Sequence, residues 1–264
     1  MDADERQQRA ASFGSVADAY AAYRPGYPAE AVGWLAGRTP GRVLELGAGT
    51  GKLTRGLLEL GHDVVASDIS AQMLRHVEAA APGARPLVAR AEQIPLQSSS
   101  VDVVIAGQAF HWFDQDRALP EIARVLRPGG VLGMIWNVCD YKVPWVKRLF
   151  ALIGQTEGRD DEDPVAGSDL FTTSEHEVFR HWQEHTRESL IGLMASQSHT
   201  AMLSSEDRTD LLAKVGELYD GYGRGRDGML LPWHTRGFRS RVAGLANTPP
   251  PMDDDGDDLF IDFH

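Results

Sequence analysis

Between Gly41 and Asn137, short apolar runs bounded by Gly or Pro alternate with segments of helical period, the pattern of β-α-β units around a parallel sheet. Strands are predicted at about Arg42–Leu46, Asp63–Ser67, Pro86–Arg90, Val101–Ala106 and Val131–Trp136, with helices over Gly51–Leu60, Ser70–Ala80 and Asp114–Leu126. The run Arg127-Pro128-Gly129-Gly130 is predicted to end the last helix, because Pro lacks the amide hydrogen that continues the ladder and Gly accepts positive φ. Ahead of this core, Ser15–Tyr23 and Pro28–Gly37 read as two short helices parted by Arg24-Pro25-Gly26-Tyr27-Pro28, a cover for the open end of the sheet. Behind it, Pro144–Thr156, Glu188–Ser198 and Ser204–Tyr222 read as helices, Gly158–Gly167 as an acidic loop and Met229–Arg236 as a late strand. Asn247–Gly256 is rich in Pro and Asp and is expected to stay disordered, since it offers little apolar surface against the entropy of ordering.

Composition narrows the class. With 264 residues, 42% of them hydrophobic and 24% charged, the chain is long enough for one α/β domain with elaborations. Its 26 basic residues face 38 acidic ones for a net charge of −12, and no basic run is present that would neutralise a row of phosphates. Nucleic acid is therefore not an expected partner. Cys139 stands alone and cannot form an internal disulfide, the first dozen residues are too polar for the apolar part of a signal peptide, and no uncharged apolar run approaches the ~20 residues that cross a bilayer. These features predict no membrane and a cytoplasmic location; they leave the oligomeric state open.

The central motif is Val43-Leu44-Glu45-Leu46-Gly47-Ala48-Gly49-Thr50-Gly51, a strand running into a glycine-rich turn that opens a helix. Glycines there bend the backbone sharply and let a ligand approach amide groups that a Cβ would shield. In the dinucleotide fingerprint G-x-G-x-x-G the third glycine stands one place later than Gly51, where this chain has Lys52. Asp68 follows at the end of the second strand, seventeen residues after Gly51, where a carboxylate accepts both hydroxyls of a ribose. Loop and acid together point to an adenosine-containing ligand. The competing reading of Asp68 is an N-cap for the helix that opens at Ser70.

In this order and spacing, Leu44–Gly51, Ser67-Asp68-Ile69-Ser70 with Met73-Leu74, Ala91-Glu92-Gln93-Ile94-Pro95-Leu96, Val101-Asp102-Val103-Val104 and Arg124–Gly130 resemble the class I S-adenosylmethionine-dependent methyltransferases, over about residues 10–240. Phe13-Gly14, Tyr20, Arg24–Pro28 and Gln108–Asp114 resemble a small-molecule branch that includes trans-aconitate methyltransferase-like proteins. The resemblance implies a Rossmann-like α/β fold: a seven-stranded, mostly parallel sheet with one antiparallel strand near the end and helices on both faces. It divides the chain into an N-terminal helical cover (1–40), a cofactor-binding core (41–137), a C-terminal part with acceptor-pocket elements (138–246) and an acidic tail (247–264). S-adenosylmethionine is the implied cofactor. Glu45, Gly47, Ala48 and Gly49 would face its methionine part, Asp68 its ribose, Ala91 and Glu92 its adenine, with Ile69 and Met73 packed on the ring. Many relatives carry an acid at the place of Arg90; arginine accepts no hydrogen bond, so adenine recognition falls to a backbone carbonyl or to Glu92.

The sulfonium of that cofactor carries an already activated methyl, so a protein mainly has to align the nucleophile and exclude water. Gln108–Asp114 follows the fourth strand, at the end where open α/β sheets place their ligands; Gln108 is assigned to cofactor binding and His111 is the catalytic candidate, as base or as hydrogen-bond donor, against packing among Phe110, Trp112 and Phe113. Trp112 and Phe113 could shield a cation but read more simply as core. Tyr20 and Arg24 are lid contacts, with Arg24 suited to a carboxylate of cofactor or acceptor. His199, Trp233 and His234 are weaker acceptor-pocket candidates. His181 and His185 could share a helix face but lack the glutamate of the zinc protease motif, and Asp253–Asp258 puts Pro251 at the first ligand position of a calcium loop, so no metal is expected. The expected reaction is direct in-line methyl transfer to a small-molecule acceptor, most simply at a hydroxyl or carboxylate oxygen. Two alternatives stay open: a nicotinamide-dependent oxidoreductase, and a non-catalytic S-adenosylmethionine-binding protein, for which Leu259–Phe263 would be a docking segment.

Overall fold

Val43, Leu44 and Leu46 disappear almost wholly from solvent in the first strand, and this full burial on both faces marks a central strand of a covered parallel sheet. The computed structural model describes residues 17–155, 162–222 and 228–243. The readings placed on Phe13-Gly14, on the first part of the loop at 158–167 and on 247–264 lie outside them. The strands are β1 (Arg42–Leu46), β2 (Asp63–Asp68), β3 (Arg85–Val88), β4 (Val101–Gly107), β5 (Leu126–Cys139), β6 (Glu175–His185) and β7 (Met229–Arg241). The helices are α1 (Ala17–Tyr23), α2 (Ala29–Ala36), α3 (Lys52–Glu59), α4 (Ala71–Ala80), α5 (Gln115–Val125), α6 (Pro144–Ala151), α7 (Arg187–Ala195), α8 (Ser198–Ala201) and α9 (Ser205–Tyr222).

Seven strands are hydrogen-bonded in the order β3-β2-β1-β4-β5-β7-β6. The pairs β3-β2, β2-β1, β1-β4 and β4-β5 are parallel. Asp140 N donates to Pro232 O and Val242 N to Gly130 O, so β7 runs antiparallel to β5. Because the chain leaves β1 toward β2 and β3 and then returns to β4 on the other side of β1, the strand order reverses between β1 and β4. Open α/β sheets bind ligands beyond the carboxyl ends of their strands at such a point.

Two expectations are corrected. Arg127–Gly130 is not a loop closing α5, because β5 starts at Leu126: Val101 pairs with Leu126, Val103 with Val131, and the extra residues bulge between those pairs with Gly129 at φ 76°. The segment from Glu175 to His185 is a strand rather than part of a helix. His181 and His185 lie on its inward side with Phe179 and Gln183, at the two-residue spacing of a strand, so the two histidines share a strand face four residues apart.

The chain forms two compact units. The described residues of Tyr27–Trp136, Asp161–Phe179 and Arg236–His264 make one, and those of Met1–Gly26, Asn137–Asp160 and Arg180–Thr235 the other. In the first, Val32 and Leu35 of α2 and Leu53 and Leu57 of α3 pack with Val43, Val64, Val103, Ile105 and Ile135 of the strands. A separate cluster joins Ala48 and Ala66 to Leu74 and Val77 of α4. In the second, Val146, Leu149 and Phe150 of α6, Leu190, Leu193 and Met194 of α7 and Leu211 and Val215 of α9 enclose Met229, Leu231 and Trp233. Among the described residues no helix is long and apolar enough to cross a membrane.

Candidate active site

The turn after β1 needs glycine for two separate reasons. Gly47, Gly49 and Gly51 all take positive φ, at 70°, 55° and 80°. At Gly47 there is also no room, because a Cβ would lie 2.5 Å from Cβ of Ala109, whereas a Cβ on Gly49 would meet nothing within 4 Å. The loops after β1 and β4 therefore touch through Gly47 and Ala109, at the strand-order reversal, and open space lies over Gly49.

Asp68 ends β2 and ties this turn to the next helix. Its Oδ2 accepts from Gly49 N at 2.9 Å and its Oδ1 from Ser70 N at 2.9 Å. Each carboxylate oxygen has a second lone pair, so both retain capacity for an outside donor. Burial raises the carboxyl above the usual aspartate range, and the amides of Ser70, Gly49 and Ile69 pull the other way. The helix N-cap itself is Ser70, whose side chain accepts from Met73 N; the capping role offered as an alternative for Asp68 belongs to its neighbour. Ile69 is 51% exposed, and Val88, which pairs with Asp68 in the sheet register, is 59% exposed. Two large apolar side chains left in water beside a polar cradle suit a flat ring laid over them. Val88 was absent from the sequence reading; its place one strand over from the acid is the signal that could have found it. Met73 is buried at the start of α4.

Glu45 points inward from β1 and is 1% exposed, with Thr54 Oγ1 of α3 donating to its Oε2 at 2.6 Å. Burial pushes its carboxyl up to about 8, the Thr54 bond opposes this, and Asp68 adds to the rise. The folded protein thus keeps a proton that the unfolded chain releases near 4.5. Stability from this group is complete below that value and is lost as pH climbs toward 8. Thermal unfolding of the ligand-free protein should shift downward between pH 5 and 8, and Glu45→Gln, which keeps the Thr54 bond without the ionisation, should flatten that slope; a slope unaltered in the variant would assign it elsewhere.

The segment after β3 is held from α5. Arg124 donates to Leu96 O at 2.8 Å and Ile94 O at 2.7 Å, while Glu121, paired with the same guanidinium at 2.7 Å, accepts from Ile94 N at 2.9 Å. This clamp was not read from the sequence, where Arg124 served only as part of a family motif. Ala91 is buried. Glu92 is already engaged: its Oε1 accepts from Asp114 N at 2.9 Å and its Oε2 lies 3.7 Å from Arg90 Nε.

Beyond β4, Gln108 takes φ 59°, a conformation that costs a residue with a Cβ about 1 kcal/mol or more and tends to cluster at working sites. Its amide is anchored on Ile135 O at 2.8 Å. The 3₁₀ turn Phe110–Trp112 follows, with Phe110 buried and edge-on to Phe113; Trp112 and Phe113, read from the sequence as core, are only half-buried. Trp136 Nε1 donates to His111 Nδ1 at 3.4 Å. Indole nitrogen only donates, so Nδ1 is the acceptor and the proton of the neutral imidazole sits on Nε2.

Tyr20 and Arg24 belong to the other unit, where the guanidinium lies 5.2 Å from the Tyr20 ring centroid. In that unit Trp233 is buried in the core, His234 Nε2 lies 3.6 Å from Asp140 Oδ2, and His199 is exposed. Among the described residues no group of three or more His, Cys, Asp or Glu could hold a metal ion.

Residues 44–134 match the model of a methyltransferase domain. An uncharacterized methyltransferase of Mycobacterium bovis is 43% identical over 242 residues, covering 90% of this chain and 98% of that protein. The chain is a class I S-adenosylmethionine-dependent methyltransferase. A solved structure from Anaeromyxobacter dehalogenans, described as a type II methyltransferase, superposes with a TM-score of 0.64 at 26% identity and covers 83% of this chain and 98% of that one. The malonyl-[acyl-carrier protein] O-methyltransferase of Methylococcus capsulatus is 44% identical over 103 residues, 36% of this chain and 37% of that enzyme. S-adenosylmethionine is accordingly the cofactor. The cradle fits it: Thr50 Oγ1 is a buried hydroxyl with no hydrogen-bond partner among the described residues, beside the open space over Gly49.

Proposed function

We propose that this methyltransferase methylates an oxygen of a small molecule, one already ionised at neutral pH, without a general base. The hydrogen bond from Trp136 to His111 carries the reading. With Nδ1 engaged as acceptor, the neutral ring presents an N–H at Nε2, which donates to an anionic oxygen but takes no proton from a hydroxyl. The similarity to an O-methyltransferase supports oxygen as the accepting atom. S-adenosylmethionine supplies an electrophilic methyl whose departure leaves a neutral thioether. The chain's own residues bind and align: in this reading Gly47, Ala48, Gly49 and the buried Glu45 hold the methionine part, Asp68 the ribose, and Ile69, Met73, Val88 and Ala91 flank the adenine, with Glu92 fixing the segment. Gln108 holds the turn that presents His111.

His111→Ala should lower kcat by roughly 10–100-fold, the value of one hydrogen bond to a charged group, while cofactor affinity stays within about twofold. Equal losses in turnover and cofactor affinity would make His111 a packing residue. The acceptor itself is sought by incubating the protein with methyl-labelled S-adenosylmethionine and a fractionated cell extract. Label recovered in an ester or ether of a small molecule supports the proposal; label on nitrogen, on carbon or on protein overturns it.

A further inference from the structure

Arg85, Arg124, Arg127, Arg187 and Arg239 each meet a carboxylate at 3.1 Å or less. Arg24 does not. Nε donates to Ser196 Oγ at 3.2 Å, and Nη2 to Gln197 Oε1 at 2.7 Å and Ser196 O at 3.4 Å, all neutral acceptors. Among the described residues no carboxylate pairs with it and Nη1 makes no hydrogen bond. Ser196 and Gln197 are 0% and 5% exposed, so the guanidinium is steered by buried groups rather than left to wave in solvent. Gln197 is the N-cap residue of α8 yet makes no capping bond, its carboxamide being turned to Arg24 instead. A cation half withdrawn from water, held rigidly and left uncompensated in a chain of net charge −12, is a site prepared for an anion.

Two further donors of the same unit lack partners. Thr200 Oγ1, in the short helix that follows Gln197, is buried without a hydrogen bond. Trp233 Nε1 is likewise buried and unpaired, and the antiparallel register that pairs Asp140 with Pro232 sets Trp233 opposite Cys139.

We propose that Arg24 binds the carboxylate of a small molecule, with Thr200 Oγ1 and Trp233 Nε1 of the same unit as supporting donors. The assignment goes beyond the methyl-transfer reading above and is tested separately from it. Carboxylate is favoured over phosphate because the remaining donors are few and a planar two-oxygen group matches the guanidinium edge.

The test uses the full chain saturated with S-adenosylhomocysteine and titrated calorimetrically with succinate, with chloride at matched ionic strength as the blank and inorganic phosphate as competitor. Saturable succinate binding is expected, weakened roughly tenfold or more in Arg24→Gln, less in Arg24→Lys and severalfold in Trp233→Phe, with S-adenosylhomocysteine affinity unchanged within about twofold throughout. Arg24→Lys keeps the charge should the glutamine variant fail to fold. No saturable binding by the wild type, equal affinity in the arginine variants, or phosphate binding as tightly as succinate overturns the proposal. Loss of S-adenosylhomocysteine affinity in Arg24→Lys also overturns it, by assigning the residue to the cofactor's own carboxylate. Arg24-dependent succinate binding together with a product methylated at nitrogen would leave the anion site standing and refute only the oxygen reading.

Discussion

Alanine at position 47 should lower stability by about 2–5 kcal/mol and abolish measurable S-adenosylmethionine binding at micromolar ligand. Two costs combine. A Cβ at φ 70° costs roughly 1–2 kcal/mol, and its 2.5 Å approach to the Ala109 Cβ forces two loops apart, an overpacking cost of about 1–3 kcal/mol. The displaced loops are those that end β1 and β4, so the loss falls on the cradle itself. Gly49→Ala separates the two costs, since its φ of 55° is also positive but its Cβ would meet nothing within 4 Å. It should cost only about 1–2 kcal/mol of stability. Thermal unfolding and calorimetric binding of both variants decide the matter: similar losses in the two would show that the contact with Ala109 is yielding and that conformation alone governs.

Asp68→Ala should weaken S-adenosylhomocysteine binding by about 1–3 kcal/mol, roughly thirtyfold at the middle of that range, because hydrogen bonds to a charged acceptor are worth roughly that. A second effect distinguishes this position from an ordinary ligand contact. The substitution also strands the amides of Gly49 and Ser70, both of which now bond to the carboxylate at 2.9 Å. Asp68→Asn retains one oxygen acceptor and should fall between wild type and alanine. Unchanged affinity in a folded Asp68→Ala protein would remove the residue from the site.

The sequence carried most of the first unit. The starts of β1, β2 and β4 were legible because each is an apolar run cut off by Gly, Pro or a charged turn, and the order of glycine loop, acid and later motifs pointed to the candidate cofactor cradle. β6 was not legible, because its inward residues Phe179, His181, Gln183 and His185 mix apolar and polar types while its outward side includes Val178 and Trp182, 37% and 63% exposed. The period of two is therefore blurred at a sheet edge, and two histidines four apart invited a helical reading. β5 was read as starting five residues late since Pro128-Gly129-Gly130 ordinarily signals a loop; here the same residues form a bulge that keeps pairing with β4. What no local pattern could give was the company each side chain keeps: that Glu92 serves Asp114, that Arg124 holds the carbonyls of Ile94 and Leu96, and that Arg24 finds no acid among the described residues.

The clamp from α5 bears on how this stretch of chain can vary. Ile94 and Leu96 are gripped through their main-chain oxygens by one guanidinium, so the course of the segment after β3 is set from a helix and not by the side chains that the segment itself carries. Substitution at either position leaves both carbonyl grips in place, whereas loss of Arg124 releases the two at once.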